Sequence, residues 1–160
     1  MKKIKLCNSD KQTIVSDEDY SELLHHNWYL HPRGYVICYQ RTARPVNKRA
    51  IFLHDFIMKP SDGLQVDHKD RNPLNNQRSN LRLATQWQNH GNKNKPKGKH
   101  SSQYKGVSFD KSSGKWYALI CCQRKQYNLG RYDDEQKAAR AYDAKARELF
   151  GEFALTNFKE

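Results

Sequence analysis

Little in this chain points to a covalent or metal-built scaffold. Its four cysteines, Cys7, Cys38, Cys121 and Cys122, form no Cys-x-x-Cys pair, and the scattered Cys and His residues do not fit zinc spacing. Adjacent Cys121 and Cys122 on a strand would point to opposite faces. All four read as reduced thiols in a cytosolic setting. No run approaches 18 apolar residues, so no spanning helix and no membrane partner is expected. The Met1-Lys2-Lys3 start is not followed by an apolar stretch, which speaks against a signal peptide. There is no phosphate-binding Gly-rich loop and no Gly-x-Ser-x-Gly elbow. No repeat of 20–50 residues is visible. The stretch from Asp70 lacks the glycine of a calcium loop, and Leu81 stands where its terminal Glu would be. Nothing calls for a small-molecule substrate.

What is abundant is positive charge. The 160 residues carry a net +12, the footprint expected of a nucleic-acid binder, because Lys and Arg on phosphates release condensed counterions. Residues 1–66 hold ten Lys/Arg and seven Asp/Glu (+3), residues 67–103 eight and two (+6), and residues 104–160 eleven and eight (+3). Half of the excess therefore lies in the centre. Hydrophobic residues are 36% and charged residues 29%, so two small cores are as plausible as one. Three Trp and nine Tyr argue against disorder.

Lys2–Leu6 and Thr13–Val15 alternate like strands. Ser16–Leu24 predicts a short helix capped by Ser16. Trp28–Leu30 and Tyr35–Tyr39 are strand-like around the turn His31-Pro32-Arg33-Gly34. Ile51–Met58 is apolar and closes at Pro60. Then follow a strand Leu64–His68, a polar loop Lys69–Ser79, a strand Asn80–Ala84 and a helix start at Thr85-Gln86-Trp87-Gln88. Residues 93–103, with Lys93, Lys95, Lys97 and Lys99 and no apolar side chain, read as an extended basic linker. Tyr104–Phe109, Lys115–Cys122 and Gln126–Tyr132 predict three strands. A helix from about Asp134 to Phe150 follows, with Asp133 as candidate cap, Gly151 past its end, and Ala138, Ala141, Tyr142, Ala146 and Leu149 on one stripe.

Hydrolysing a phosphodiester needs charge neutralisation and a base that activates water. Asp67 offers a hard oxygen ligand suited to Mg²⁺. His68 has a pKa range suited to a base near neutral pH. Asn89 offers a second oxygen, and Asn80 can bond the loop backbone and tie the two strands together. Asp67 and His68 are adjacent and would diverge in a regular strand, so their cooperation needs a twisted strand end. The same residues also fit a surface Asp-His pair and ordinary turn asparagines.

The run Val66-Asp67-His68-Lys69-Asp70-Arg71-Asn72-Pro73-Leu74-Asn75-Asn76, then Ser79-Asn80-Leu81-Arg82-Leu83-Ala84-Thr85 and Gln88-Asn89, closely resembles the HNH homing endonucleases of phages and mobile introns. Leu53-His54 also matches their pattern. The resemblance covers roughly residues 50–95. It implies a ββα-metal nuclease fold, His68 as general base, Asp67 and Asn89 as metal ligands and Asn80 as the structural middle Asn. The last His of the family name is Asn89 here. His54 is read as a packing residue.

Residues 104–158 resemble the plant ethylene-response-factor, or Apetala-type, DNA-binding domain. Tyr104-Lys105-Gly106-Val107, Gly114-Lys115-Trp116-Tyr117-Ala118, Leu129-Gly130-Arg131-Tyr132, Ala138-Ala139-Arg140-Ala141-Tyr142-Asp143 and Asn157-Phe158 carry the likeness. That family lays a three-stranded sheet in the major groove. Asn128 replaces a family Trp, and Ser108, Asp110, Leu119 and Cys121 stand where the family has Arg. The resemblance therefore implies the fold more than the base contacts. The expected general contact set is Arg82, Lys93, Lys95, Lys97, Lys99, Lys105, Lys115, Trp116, Arg124, Lys125 and Arg131, although Trp116 equally fits a core position.

The expectation is an α+β chain. Residues 1–92 form the nuclease module, 93–103 the linker and 104–160 a three-stranded antiparallel sheet packed on one helix. The reaction expected is hydrolysis of double-stranded DNA with a divalent ion, Mg²⁺ or Mn²⁺, and the resemblance to the HNH family implies that it leaves a 3′-hydroxyl and a 5′-phosphate. A monomer encoded by a phage or mobile element and acting in the cytoplasm of a bacterial host fits this reading. A non-catalytic sequence-specific DNA-binding regulator, and more remotely an RNA binder with a stacking sheet, are the rivals.

Overall fold

The computed structural model describes residues 1–41, 48–96 and 98–159. The chain is α+β, with small sheets and short helices, and divides into two compact units, Met1–Thr85 and Gln86–Glu160. That division falls ahead of the boundary at Asn92 expected from the motifs.

In the first unit, β1 (Lys2–Leu6) pairs antiparallel with β2 (Ser9–Val15). Their alternation turns Ile4, Leu6, Thr13 and Val15 inward. Helix α1 (Asp17–Leu23) follows. Ser16 occupies its N-cap without a capping bond. Its Oγ accepts instead from the Arg78 backbone N–H at 2.9 Å, and the Arg78 guanidinium grips buried Asp19 at 2.7–3.0 Å. The expected cap is thus diverted to hold a distant loop. Strands β3 (Tyr29–Leu30), β4 (Val36–Arg41) and β5 (Lys48–Phe52) form a second antiparallel sheet. The apolar segment after it becomes helix α2 (Leu53–Met58), which closes through left-handed Lys59 (φ 46°).

Strand β6 (Leu64–His68) pairs antiparallel with β8 (Leu81–Thr85). Between them lies β7 (Asn75–Asn76), within the segment expected to be loop only. It pairs parallel with β2, Ile14 opposite Asn75 and Val15 opposite Asn76. The core joins all these elements through Val15, Leu23, Trp28, Val36, Leu53, Ile57, Val66 and Leu81. Buried Trp28 donates its indole N–H to the Leu23 carbonyl at 2.8 Å, which satisfies the one polar atom of that ring.

The second unit begins with short helix α3 (Gln86–Gly91). Within the segment expected to be an extended linker, Lys95 Nζ donates to the Ser102 and Tyr104 carbonyls, both at 2.7 Å, and Ser102 is buried. Strands β9 (Val107–Asp110), β10 (Lys115–Cys122) and β11 (Lys125–Tyr132) form an antiparallel sheet with β10 central. Tyr104–Gly106 lies outside β9, because Gly106 (φ +75°) turns the chain there. A Cβ at Gly106 would come within 2.0 Å of the Tyr142 ring. Helix α4 (Glu135–Phe150) covers one face of the sheet. Its cap is Asp134, one residue beyond the expected Asp133, accepting from Lys137 N–H at 2.8 Å. Fully buried Ala138 and Ala139 let α4 approach Ala118 and Val107 closely.

Candidate functional site

The loop between β6 and β8 is held by asparagines. Lys69 N–H bonds the Asn80 carbonyl at 2.9 Å. The Asn80 side chain accepts from Asp70 N–H at 3.1 Å and donates to Asp70 Oδ1 at 2.9 Å and to the Asn75 carbonyl at 2.8 Å. One side chain therefore ties Asp70 to Asn75 within the loop. Asp70 also takes bonds from Asn72 N–H at 2.8 Å and Asn75 Nδ2 at 2.7 Å. Burial pushes the Asp70 carboxyl up, but the donors from Asn72, Asn75 and Asn80 outweigh it and hold its pKa below the usual value.

Asp67 and His68 are both buried at the end of β6, and their partners diverge as adjacent strand positions require. Asp67 stands opposite Arg82 in the strand register. Arg82 Nε donates to Asp67 Oδ2 at 2.8 Å, with both side chains largely withdrawn from solvent. Arg82, expected among the DNA contacts, is thus engaged with the carboxylate beside the catalytic candidate. His68 turns elsewhere: its Nε2 lies 3.2 Å from Asn76 Oδ1. Its ring meets His54 edge-on at 5.2 Å and lies 6.2 Å from Tyr35. Burial pushes the His68 pKa below 6.5, partly opposed by Asn76, Asp70 and Asp67.

His54 packs in an aromatic cluster, stacked on Phe52 at 5.3 Å and edge-on to Tyr35 at 5.5 Å. Its buried Nδ1 has no hydrogen-bond partner among the described residues. Burial, with the nearby His68 charge second, drives its pKa down to about 3, so His54 is neutral at physiological pH. Among the described residues no group of three or more His, Cys, Asp or Glu side chains gathers to hold an ion. The two expected metal ligands fall in different units, Asp67 in the first and Asn89, half-buried on α3, in the second. A carboxylate is a hard oxygen donor of the kind Mg²⁺ accepts. A carboxylate has about four lone-pair sites, so Arg82 on one oxygen is compatible with that role.

In the second unit, α4 covers the face bearing Ala118, Ile120 and Cys122, and strand alternation puts Tyr117, Leu119 and Cys121 on the other. Arg131, opposite Tyr117, lies over that ring at 5.4 Å and pairs with Asp110 at 3.0 Å. Lys115 pairs with Asp133 at 3.2 Å. Arg124 and Lys125 are exposed at the β10–β11 turn. Trp116 sides with the core, edge-on to Phe109 at 5.0 Å and packed against the helix cluster. Lys93, Lys95 and Lys105 border one cavity with His90 and His100, but Lys95 is spent on two carbonyls and Lys105 Nζ donates to the Gly91 carbonyl at 2.8 Å. Lys99 is exposed. Lys97 lies outside the described residues.

Three residues that touch the site carried no role in the sequence. Asn76 stood inside the motif as one of two adjacent asparagines. Thr13 and Tyr35 lie far from it in the chain and give no local signal.

Residues 59–91 match the HNH endonuclease family, and residues 102–152 match the AP2 domain. An uncharacterized HNH endonuclease of Acanthamoeba polyphaga mimivirus is 36% identical over 151 residues, covering 92% of this chain and 71% of its own length. Protein 3.8 of Escherichia phage T7 is 32% identical over 127 residues, covering 79% of this chain and 92% of its own. An AP2/ERF and B3 domain-containing transcription repressor of Arabidopsis thaliana is 41% identical over 59 residues, which are 37% of this chain and 16% of the repressor. No solved structure matches the chain. The HNH match spans the asparagine-held loop with Asp67, His68 and Asn80, and the AP2 match spans the three-stranded sheet and all of α4. The chain belongs to the HNH endonuclease family and carries an AP2 domain after its HNH segment.

Proposed function

We propose that this protein is a metal-dependent endonuclease that hydrolyses double-stranded DNA, a homing-type enzyme of a phage or mobile element. The observation that carries the reading is buried His68, fixed at the end of β6 beside the Asp67 carboxylate on a loop closed by Asn80. The order strand, loop, strand, helix from β6 through α3 fits a ββα-metal arrangement. Asp67 and Asn89 would hold the divalent ion, which when bound would neutralise charge on the scissile phosphate. His68 takes the proton of the attacking water, whose oxygen bonds to phosphorus. The bond from phosphorus to the 3′ oxygen breaks, leaving a 5′-phosphate and a 3′ oxygen that is protonated from solvent. The AP2 domain supplies grip on DNA through Lys115, Arg124, Lys125 and Arg131, with Lys93 and Lys99 as further phosphate contacts.

The test is cleavage of plasmid DNA with Mg²⁺ and with EDTA, for the wild type and for His68→Ala. Loss of roughly 10²–10⁴-fold in rate with DNA affinity retained is expected for the variant. Cutting by His68→Ala at the wild-type rate removes His68 from the chemistry. No cutting by the wild type under any metal favours a DNA-binding regulator.

A further inference from the structure

His68 has two ring nitrogens, and only one of them in the neutral ring carries a lone pair. Which one it is decides where a proton can be taken up. Four fully connected groups settle that choice here.

Asn76 is 1% exposed and Thr13 is 0% exposed, so neither has recourse to bulk water. Asn76 Nδ2 lies 3.1 Å from the Pro73 carbonyl oxygen and 2.9 Å from Thr13 Oγ1. A carbonyl oxygen only accepts. The amide atom facing Pro73 must therefore be the nitrogen, and a flipped amide would set two oxygens against each other. Thr13 agrees with this orientation. Its hydroxyl donates to the Leu74 carbonyl at 2.9 Å and so receives the second amide hydrogen on its lone pair. Both Asn76 hydrogens are then used, and Oδ1 is left facing His68 Nε2 at 3.2 Å. An amide oxygen cannot donate, so Nε2 carries the hydrogen.

The backbone makes this arrangement rigid. The two-residue β7 exists only by pairing with β2, where Val15 faces Asn76 and Ile14 N–H bonds the Leu74 carbonyl at 2.8 Å. Thr13 and Asn76 are 63 residues apart in the chain and meet only because of that parallel pairing.

We infer that Asn76, oriented by Thr13 and the Pro73 carbonyl, is a positioning residue that keeps the hydrogen of neutral His68 on Nε2 and its lone pair on Nδ1. This rests on the reading of His68 as the base. In the proton transfer, Nδ1 receives the water's proton while Nε2–H stays on Asn76 Oδ1, which also favours the imidazolium formed. Asn76 touches neither the DNA nor the reacting atoms in this role. It removes the tautomer whose lone pair would face the Asn76 amide oxygen.

The first measurement needs no activity: long-range proton–nitrogen spectra of the full chain, with the His68 signals assigned by their absence in His68→Ala. The wild type should show the hydrogen on Nε2, and a hydrogen on Nδ1 overturns the proposal whatever the variants do. Asn76→Leu removes the acceptor at similar size. It should yield a tautomer mixture and lower kcat by about 10–100-fold, the scale on which hydrogen-bond partners of site ligands act, with KM and DNA affinity unchanged. Thr13→Val is compatible with a strand and removes one of the two acceptors that orient the amide. It should shift tautomer and kcat in the same direction by less, which keeps the proposal testable if Asn76→Leu does not fold. If His68→Ala is inactive while folded Asn76→Leu keeps both the wild-type tautomer and kcat, the positioning role is wrong and the base stands. If His68→Ala cuts normally, the base reading fails and the positioning role falls with it.

Discussion

The two units bury polar groups over different spans of chain. In the first, several partners are remote: Thr13 with Asn76 and with the Leu74 carbonyl, Ser16 and Asp19 with Arg78, all about sixty residues apart, while the loop between β6 and β8 is held by shorter spans of two to ten residues. In the second they are mostly near. Asp143 accepts from Asn157 N–H and Phe158 N–H, fourteen and fifteen residues on. The exception is Asn157, which brackets the Lys105 backbone from 52 residues away. A reactive histidine must be held by groups that water would otherwise loosen, and a buried network can do so only if every member is satisfied. A surface that grips a polyanion needs exposed cations on a firm sheet, and close packing of small residues supplies the firmness.

If that contrast is right, the second unit should break at its closest packing. Gly106→Ala adds a Cβ 2.0 Å from Tyr142 Cδ2 and 2.7 Å from the Leu119 carbonyl oxygen, at φ +75°. Overpacking and a left-handed alanine together cost on the order of 3 kcal/mol or more. Hydrogen exchange resolved by peptide should show lost protection across β9 to α4, with β1, β2 and β6 unchanged. Equal loss in both units would mean that they do not fold as separate bodies.

The first unit should break with acid. His54 is held neutral, its pKa near 3 against 6.5 in an open chain, by burial first and by His68 second. Below pH 6.5 the unfolded chain takes up a proton that the folded chain refuses. Stability is therefore full above pH 6.5 and falls as pH drops toward 3, with a limiting slope of about 1.4 kcal/mol per pH unit. By pH 5 the loss is about 2 kcal/mol. His68 is shifted in the same sense and adds to it. Denaturant midpoints against pH should show the slope in the first unit, and His54→Leu should flatten it. An unchanged slope in that variant would place the acid sensitivity elsewhere.

The sequence made some of this architecture readable and hid the rest for physical reasons. The α4 stripe was visible because Ala138, Tyr142 and Ala146 recur at helical spacing, and all three are buried. Buried Asp143 was not, because its carboxylate is satisfied by backbone at the chain's end rather than by a neighbour on the helix. Asp67, His68 and Asn80 stood out as a motif. Arg82 was expected only as a DNA contact, and it is the β6–β8 register that sets it against Asp67. β7 was invisible for a related reason. Two asparagines look like a turn, and their partner strand lies sixty residues upstream.

The smallest effect expected sits at the β10–β11 turn. Gln123 and Arg124 both have positive φ, 50° and 62°, between the paired positions Cys122 and Lys125. A two-residue hairpin turn of this kind favours Asn and Gly, since a Cβ is strained there. Arg124 therefore holds a place where glycine would be more stable. Its exposed guanidinium is the compensation if it meets a phosphate, so stability and binding should move in opposite directions. Arg124→Gly should raise the stability of the second unit by roughly 0.5–1 kcal/mol. The same change should lower DNA affinity and reduce the slope of log K against log salt by about 0.9, one phosphate contact. Trp116→Phe is the counterpart, because Trp116 packs with Phe109 and the helix cluster. That variant should lose stability and leave the salt slope alone. A stabilised Arg124→Gly with unchanged salt slope would show that the strained turn serves something other than phosphate, and the division of labour between strain and grip would fail at that residue.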